Sequence, residues 1–210
     1  MSKFWKGLLC IMLLLPMAAW VNAADFVAGK HYEVMSNPLP TRNPEEIEVT
    51  EVFWYGCPHC YAFKPFIESW DKNKADDVEF EMLPAALGRS WEVHARAYYT
   101  LQALGALDKT NDAMFDALAR DHKQLNTPEA IGEYLTDYGV DKDAFVKAFD
   151  SFGVNAKMQQ AQSRVRAARI TGVPTVIVNG KYKVSASTAG GHEQMIDVID
   201  YLVAKERDAQ

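Results

Sequence analysis

The chain has 210 residues, 49% of them hydrophobic and 24% charged, a composition that excludes a disordered chain, a fibrous repeat and a polytopic membrane protein. Its formal net charge is −6 with a pI near 5.4, so no general nucleic-acid-binding surface is expected. Three cysteines exclude a disulfide-stapled miniature fold, and an odd number is awkward for a secreted protein.

The N-terminus resolves the awkwardness. Lys3 and Lys6 precede an apolar run from Leu8 to Ala19, and Val21-Asn22-Ala23 supplies small residues where a signal peptidase reads. This is the three-part pattern of a secretory signal peptide over residues 1–23. The apolar run is short for a membrane span, although an uncleaved N-terminal anchor is the alternative. Cys10 lies at the start of that run, whereas a lipid-anchored cysteine would follow it. Cleavage after Ala23 removes Cys10 and two lysines, leaves 187 residues and takes the formal charge from −6 to −8. The mature chain keeps Cys57 and Cys60 in an oxidising compartment.

Lys30 to Met35 reads as a short strand with Tyr32 and Val34 inward. Pro38, Pro40 and Pro44 require a loop. Ile47 to Tyr55 carries apolar side chains on both faces, as a strand inside a sheet does: Ile47, Val49, Glu51, Phe53 and Tyr55 on one face, Val52 and Trp54 on the other. Gly56 ends it. A helix is predicted from Pro58 to about Asn73, kinked at Pro65, and a strand from Val78 to Leu83. From Arg89 to Phe152 only helical spacings occur. Trp91, Ala95, Tyr98 and Leu101 mark one helix, and Asp112 to Arg120 another. Thr127-Pro128-Glu129 starts a third, which Gly139 ends, and Asp141 caps the next. Ala156 to Arg169 follows, its Arg164, Arg166 and Arg169 read as a solvated face, with an anion site as the alternative. Strands return at Thr175 to Val178 and Tyr182 to Val184, joined by the hairpin pair Asn179-Gly180. A last helix covers Glu193 to Ala204. One sheet explains this order if a helical block is inserted into an α/β domain.

Cys57-Pro58-His59-Cys60 falls where a strand ends and a helix begins. In disulfide exchange the thiolate is the nucleophile, and an ordinary thiol is mostly protonated at neutral pH. The unpaired N–H groups of the helix N-terminus, a cationic His59 and an S–H offered by Cys60 should all lower the pKa of Cys57. Stabilising the reduced form makes a dithiol site an oxidant. A structural zinc site would need two more ligands, and His31, His94, His122 and His192 lack the spacing. An inert bridge across so small a loop would constrain the unfolded chain little.

Over essentially the whole mature length the chain resembles the DsbA family of thioredoxin-fold thiol:disulfide oxidoreductases. The residues that carry the likeness are Phe53-Trp54-Tyr55-Gly56-Cys57-Pro58-His59-Cys60-Tyr61, Thr171-Gly172-Val173-Pro174-Thr175 and Val178-Asn179-Gly180-Lys181-Tyr182. The resemblance implies an α/β, thioredoxin-like fold with an inserted all-helical domain: 24–87 and 158–210 form the thioredoxin-like unit and 88–157 the insertion. It implies that Cys57 is the attacked cysteine and Cys60 the mostly buried resolving one. It also implies that the Val173–Pro174 bond is cis and faces the cysteines, presenting Val173 backbone groups to an extended substrate; an ordinary trans proline is the alternative. The resemblance implies the same direction, since such sites in the family act as oxidants. The family has an acid at the position of Glu51, buried under the active-site helix, where it could pass the proton of Cys60. The alternative is a partly exposed strand acid without a role. Lys64 departs from relatives with an acid there, and an exposed lysine would matter little. Trp54, Tyr55, Tyr61, Phe63 and Phe66 are either core or the border of an apolar groove.

The resulting expectation is a monomeric dithiol oxidase of the Gram-negative periplasm. It would donate its Cys57–Cys60 disulfide to unfolded or partly folded secreted proteins with free thiols, through a mixed disulfide at Cys57. Cys57, Pro58, His59, Cys60 and Glu51 are the catalytic candidates, and Val173 and Pro174 the substrate-binding ones. Neither metal nor organic cofactor is expected. The resemblance implies reoxidation by a DsbB-like quinone-linked membrane oxidase. A reductase or isomerase of the same fold, or a non-catalytic peptide or metal binder, are the competing readings; 187 mature residues leave no room for the dimerisation domain that isomerases of this compartment usually add.

Overall fold

The computed structural model describes residues 26–210, so the signal segment 1–23 and Cys10 lie outside the described residues. Its centre is a five-stranded sheet in the order β1-β5-β4-β2-β3, with β1 Glu33–Val34, β2 Ile47–Phe53, β3 Val78–Pro84, β4 Thr175–Val178 and β5 Tyr182–Val184. β2 pairs parallel with β3, Ile47 opposite Val78, and antiparallel with β4, Glu51 opposite Val176. Every residue of β2 is buried, as its two-faced apolar pattern predicts. At the opposite edge β1 is shorter than expected: Tyr32 is in the core, but Val34 is 52% exposed, because the strand pairs with β5 on one side only. Asn179 and Gly180 have φ of 48° and 64°, the doubly left-handed turn that matches hairpin twist. Only Gly fits at 180, where a Cβ would collide with the Leu39 carbonyl oxygen.

The parallel β2–β3 pair needs a crossover, and α1, Pro58–Asn73, provides it as predicted, with Pro65 inside the helix. α2 Arg89–Ala103, α3 Leu107–Phe115, α4 Pro128–Leu135 and α5 Lys142–Phe149 then follow without a strand, and α6 Phe152–Ala167 leads back to the sheet. Thr127 accepts from the Ala130 N–H and Asp141 from the Ala144 N–H, and Gly139 ends the α4 segment at φ 72°, all as the capping residues predict. The Asp112–Arg120 helix is corrected: α3 begins at Leu107, and Asp116–Arg120 continues it as a π-helical turn. α6 starts at Phe152, capped by Ser151. Phe152 is 89% exposed and falls off the buried stripe that Val154, Met158, Ala161 and Val165 form. The chain closes with α7 Ala186–Ala189 and α8 His192–Arg207.

Buried apolar side chains form two clusters. Ile47, Val49, Val176 and Val178 of the sheet join Phe63, Ile67 and Trp70 of α1 and Met195, Val198, Ile199 and Leu202 of α8. Val52, Phe53 and Ile177 join the helical block, where Phe53 meets Tyr98 and Phe115 edge-on and tilted. Phe53 thus leaves the cluster of Ile47 and Val49, because the helical block closes over that end of β2. The active-site end of β2 is therefore wedged between two cores. Arg164 is not solvated, contrary to expectation. It bonds the buried Glu48 and approaches Glu81, so its charge is spent inside the protein, while Arg166 and Arg169 are exposed.

Candidate active site

β2 delivers the chain to a turn at Trp54–Gly56, and the Cys57 N–H closes it on the Trp54 carbonyl at 3.0 Å. Gly56 is required there: a Cβ would lie 2.4 Å from the Trp54 ring. Cys57 is then the cap of α1, with extended backbone, and Pro58 occupies the first turn, where its missing N–H costs nothing. The Cys57 sulfur accepts the Cys60 N–H at 3.4 Å, taking one of the helix's orphan donors. Both cysteines are free thiols. Cys60 is sealed in the core and Cys57 nearly so, while Pro58 and His59 are exposed. Across the site the Val173–Pro174 bond is cis, and the Cys57 thiol donates to the Val173 carbonyl at 3.5 Å. The fold thus brings together two segments separated by 116 positions in the chain.

The electrostatics follow from this geometry. The Cys57 thiol is lowered to about 6, first by the hydrogen bond from the Cys60 thiol, against the cost of burial. The N–H groups of Cys60 and His59 and the His59 charge help further. Cys60 moves the opposite way, raised by burial and then by its bond to the neighbouring thiolate. Glu51, on β2, is 2% exposed, and burial pushes its carboxyl up to about 8; Glu68 adds to the rise and Lys64 opposes it. Lys64 is largely covered: it lies between Glu68 at 2.7 Å and Asp112 at 2.8 Å, joining α1 to the helical block. Ultraviolet thiolate titration of the reduced protein should show a midpoint near 6 for Cys57. His59→Ala should raise it; an unchanged midpoint would remove His59 from the causes.

Several supports carried no sequence signal because each joins distant positions. The Trp54 indole N–H donates to Nδ1 of the buried His94 at 2.9 Å. Indole nitrogen can only donate, so His94 is held as the neutral tautomer that donates from Nε2 to the Leu125 carbonyl at 2.9 Å. Burial lowers the His94 pKa in the same sense. Trp91 stacks on Trp54 at 4.4 Å. Tyr55 donates to Asn111 and Tyr61 to Asp116, at 2.8 and 2.9 Å, tying both ends of the motif to the helical block. His94→Ala leaves a part-buried indole N–H without its partner and a void at the buried His94 position, and should cost about 2–3 kcal/mol in denaturant unfolding. A loss below about 0.5 kcal/mol would show that the site does not depend on this clamp.

Of the five aromatics, Tyr55 and Phe63 are core, Trp54 and Tyr61 are partly covered, and Phe66 is exposed. A cleft of about 440 Å³ runs beside Val173 and Pro174, with His59 and His192 at its α1–α8 side and Arg169 and Thr171 on the segment leading into it. Among the described residues no group of three or more His, Cys, Asp or Glu side chains is placed to hold a metal ion.

Comparison with known proteins agrees with this geometry. The model of the DSBA-like thioredoxin domain matches residues 48–197. The chain is 43% identical to the thiol:disulfide interchange protein DsbA of Pseudomonas aeruginosa over 203 residues, covering 97% of this chain and 95% of the relative. It is 44% identical to that of Azotobacter vinelandii over 190 residues, covering 90% and 89%. The crystal structure of P. aeruginosa DsbA superimposes with a TM-score of 0.84 at 43% identity, over 88% of this chain and 96% of that one. The Xylella fastidiosa oxidoreductase DsbA gives 0.81 at 33% identity, over 87% and 98%. Match and geometry together place this chain in the DsbA-like thioredoxin family.

Proposed function

We propose that the protein is a thiol:disulfide oxidoreductase that donates the Cys57–Cys60 disulfide to newly translocated proteins in the periplasm. The observation that carries the reading is the split between the two thiols: Cys57 is a stabilised thiolate at the edge of the site, and Cys60 is a buried, protonated thiol. A substrate thiolate attacks Sγ of Cys57 in the disulfide form. The Cys57–Cys60 bond breaks, and Cys60 leaves as a thiolate that takes up a proton. Glu51, its pKa raised to about 8, is protonated at neutral pH and supplies that proton. The second substrate thiolate then attacks the substrate sulfur of the mixed disulfide. Cys57 departs as a stable thiolate, a good leaving group, and the substrate gains one disulfide while the pair gains two electrons. The redox group is the cysteine pair itself. His59 and Pro58 shape the helix start, and Val173 and Pro174 receive an extended substrate beside Cys57.

The division into a thioredoxin-like unit, 24–87 with 158–210, and a helical insertion, 88–157, belongs to this reading; its second boundary falls inside α6. So do cleavage near Ala23, a monomeric state and reoxidation by a DsbB-like quinone-linked membrane oxidase. The test is stoichiometric. Disulfide-form protein mixed with a reduced dithiol protein should oxidise one substrate pair for each Cys57–Cys60 pair reduced. Absence of transfer, or net reduction of a substrate disulfide by the dithiol form under the same conditions, would overturn it.

A further inference from the structure

The cleft beside Val173 and Pro174 is cationic although the whole chain carries a net charge of −6. Its lining includes His59, Arg169, Lys183 and His192 against one carboxylate, Glu33. Glu33 is already paired with Lys183 at 3.0 Å, so that pair is neutral. Most of the hydroxyls are also committed. Ser185 and Thr188 cap each other's backbone, and Thr175 donates to the Gly172 carbonyl at 2.8 Å. Arg169 remains as the full charge without an internal partner. It is exposed, and no ion pair engages it among the described residues, whereas Arg164 one turn earlier is consumed by Glu48.

The backbone at Arg169 points the same way. It follows α6 with φ 50°, its N–H on the Arg166 carbonyl at 3.0 Å. Glycine is the usual occupant of such a left-handed helix end, and arginine, which has a Cβ, holds that conformation at a cost. Arg169 lies four positions before Val173, at most about 14 Å of extended chain. A substrate strand seated at Val173 therefore passes Arg169 within about four residues of its reacting cysteine.

We infer that Arg169 is a specificity-determining residue that makes this cleft favour substrate segments with Asp or Glu close to the reacting cysteine, an inference that rests on the oxidase reading. At an exposed charge of this kind, complementarity mainly raises the association rate and is weakened by salt. His59 is exposed and His192, half-covered, packs against Phe63 at the other side of the cleft.

Three dithiol peptides that differ only in having Asp, Ser or Lys beside the cysteines test it. Each rate is divided by that peptide's rate with a neutral small-molecule disulfide, which cancels the effect of the neighbour on the peptide's own thiols. The Asp peptide should be oxidised about 3- to 10-fold faster than the Lys peptide at low salt, with the ratio collapsing at high salt. Arg169→Glu should invert the ratio and Arg169→Lys should keep it. Equal normalised rates with the wild-type protein, or a ratio unchanged by Arg169→Glu, would overturn the inference while leaving the oxidase reading intact. Failure to oxidise even the Ser peptide would overturn the oxidase reading, and this inference with it.

Discussion

A Cys57→Ser protein should transfer no disulfide, falling to the rate of the substrate without protein. The site offers no second nucleophile: Cys60 is sealed in the core with its thiol raised, and the remaining described residues contain no other cysteine. Cys60→Ser should behave differently. It cannot form the disulfide, but its Cys57 still attacks, so with a glutathione-blocked peptide it should accumulate a mixed disulfide instead of turning over. The assay is oxidation of a dithiol peptide followed by mass spectrometry of trapped species. Substantial oxidation by Cys57→Ser would mean that the nucleophile has been misassigned.

Glu51→Gln should make the protein more stable and less active at once. A carboxyl whose folded pKa is raised to about 8 holds its proton more tightly than in the unfolded chain. Its contribution to stability is complete below the ordinary carboxylate range and is lost as pH rises from about 4 to 8, at about 1.4 kcal/mol per unit. By pH 7 the loss is about 3 kcal/mol. Glutamine copies the neutral form and does not titrate. The variant should therefore match the parent in denaturant unfolding near pH 4 and exceed it by about 3 kcal/mol at pH 7. Cys60 meanwhile loses its proton donor as it leaves Cys57, so formation of the mixed disulfide should slow by about 100-fold. Parallel pH–stability curves for the two proteins would show that Glu51 is not held neutral by the fold.

Where neighbours in sequence decide the structure, the sequence sufficed. Asn179-Gly180, the caps Thr127 and Asp141, and the whole span of α1 depend on residues a few positions apart, and all are found as expected. Cys57, Pro58, His59 and Cys60 were legible for the same reason, since a strand end and a helix start sit on either side of them. Failures occurred where the partner is distant. Arg164 read as solvated because Glu48 lies 116 positions away. The pairing of Lys64 gave no signal because Asp112, on α3, lies 48 positions away. The His94–Trp54 clamp spans 40 positions and has no periodic signal. α6 was begun late because Phe152 is apolar yet exposed, and α7 was missed because four small and polar residues have no hydrophobic period.

The two thiols also set how the driving force depends on pH. Only the dithiol form carries the Cys57 thiolate, whose pKa is depressed to about 6, so its stabilisation is absent well below pH 6 and complete above the ordinary thiol range. At pH 7 a thiolate of that kind favours the reduced form by about 1.4 kcal/mol over an ordinary thiol, or about 30 mV for a two-electron couple. The Cys60 thiol bonded to that thiolate is part of the same stabilisation.

The central claim is that this pair gives its disulfide away, and equilibration with glutathione redox buffers at pH 7 tests it most directly. The fraction of Cys57–Cys60 disulfide should fall to half at a potential less negative than about −180 mV, with the dithiol dominant in any strongly reducing buffer. A midpoint at or below about −270 mV, with the pair still bridged in such buffers, would make the protein a reductase and contradict the account.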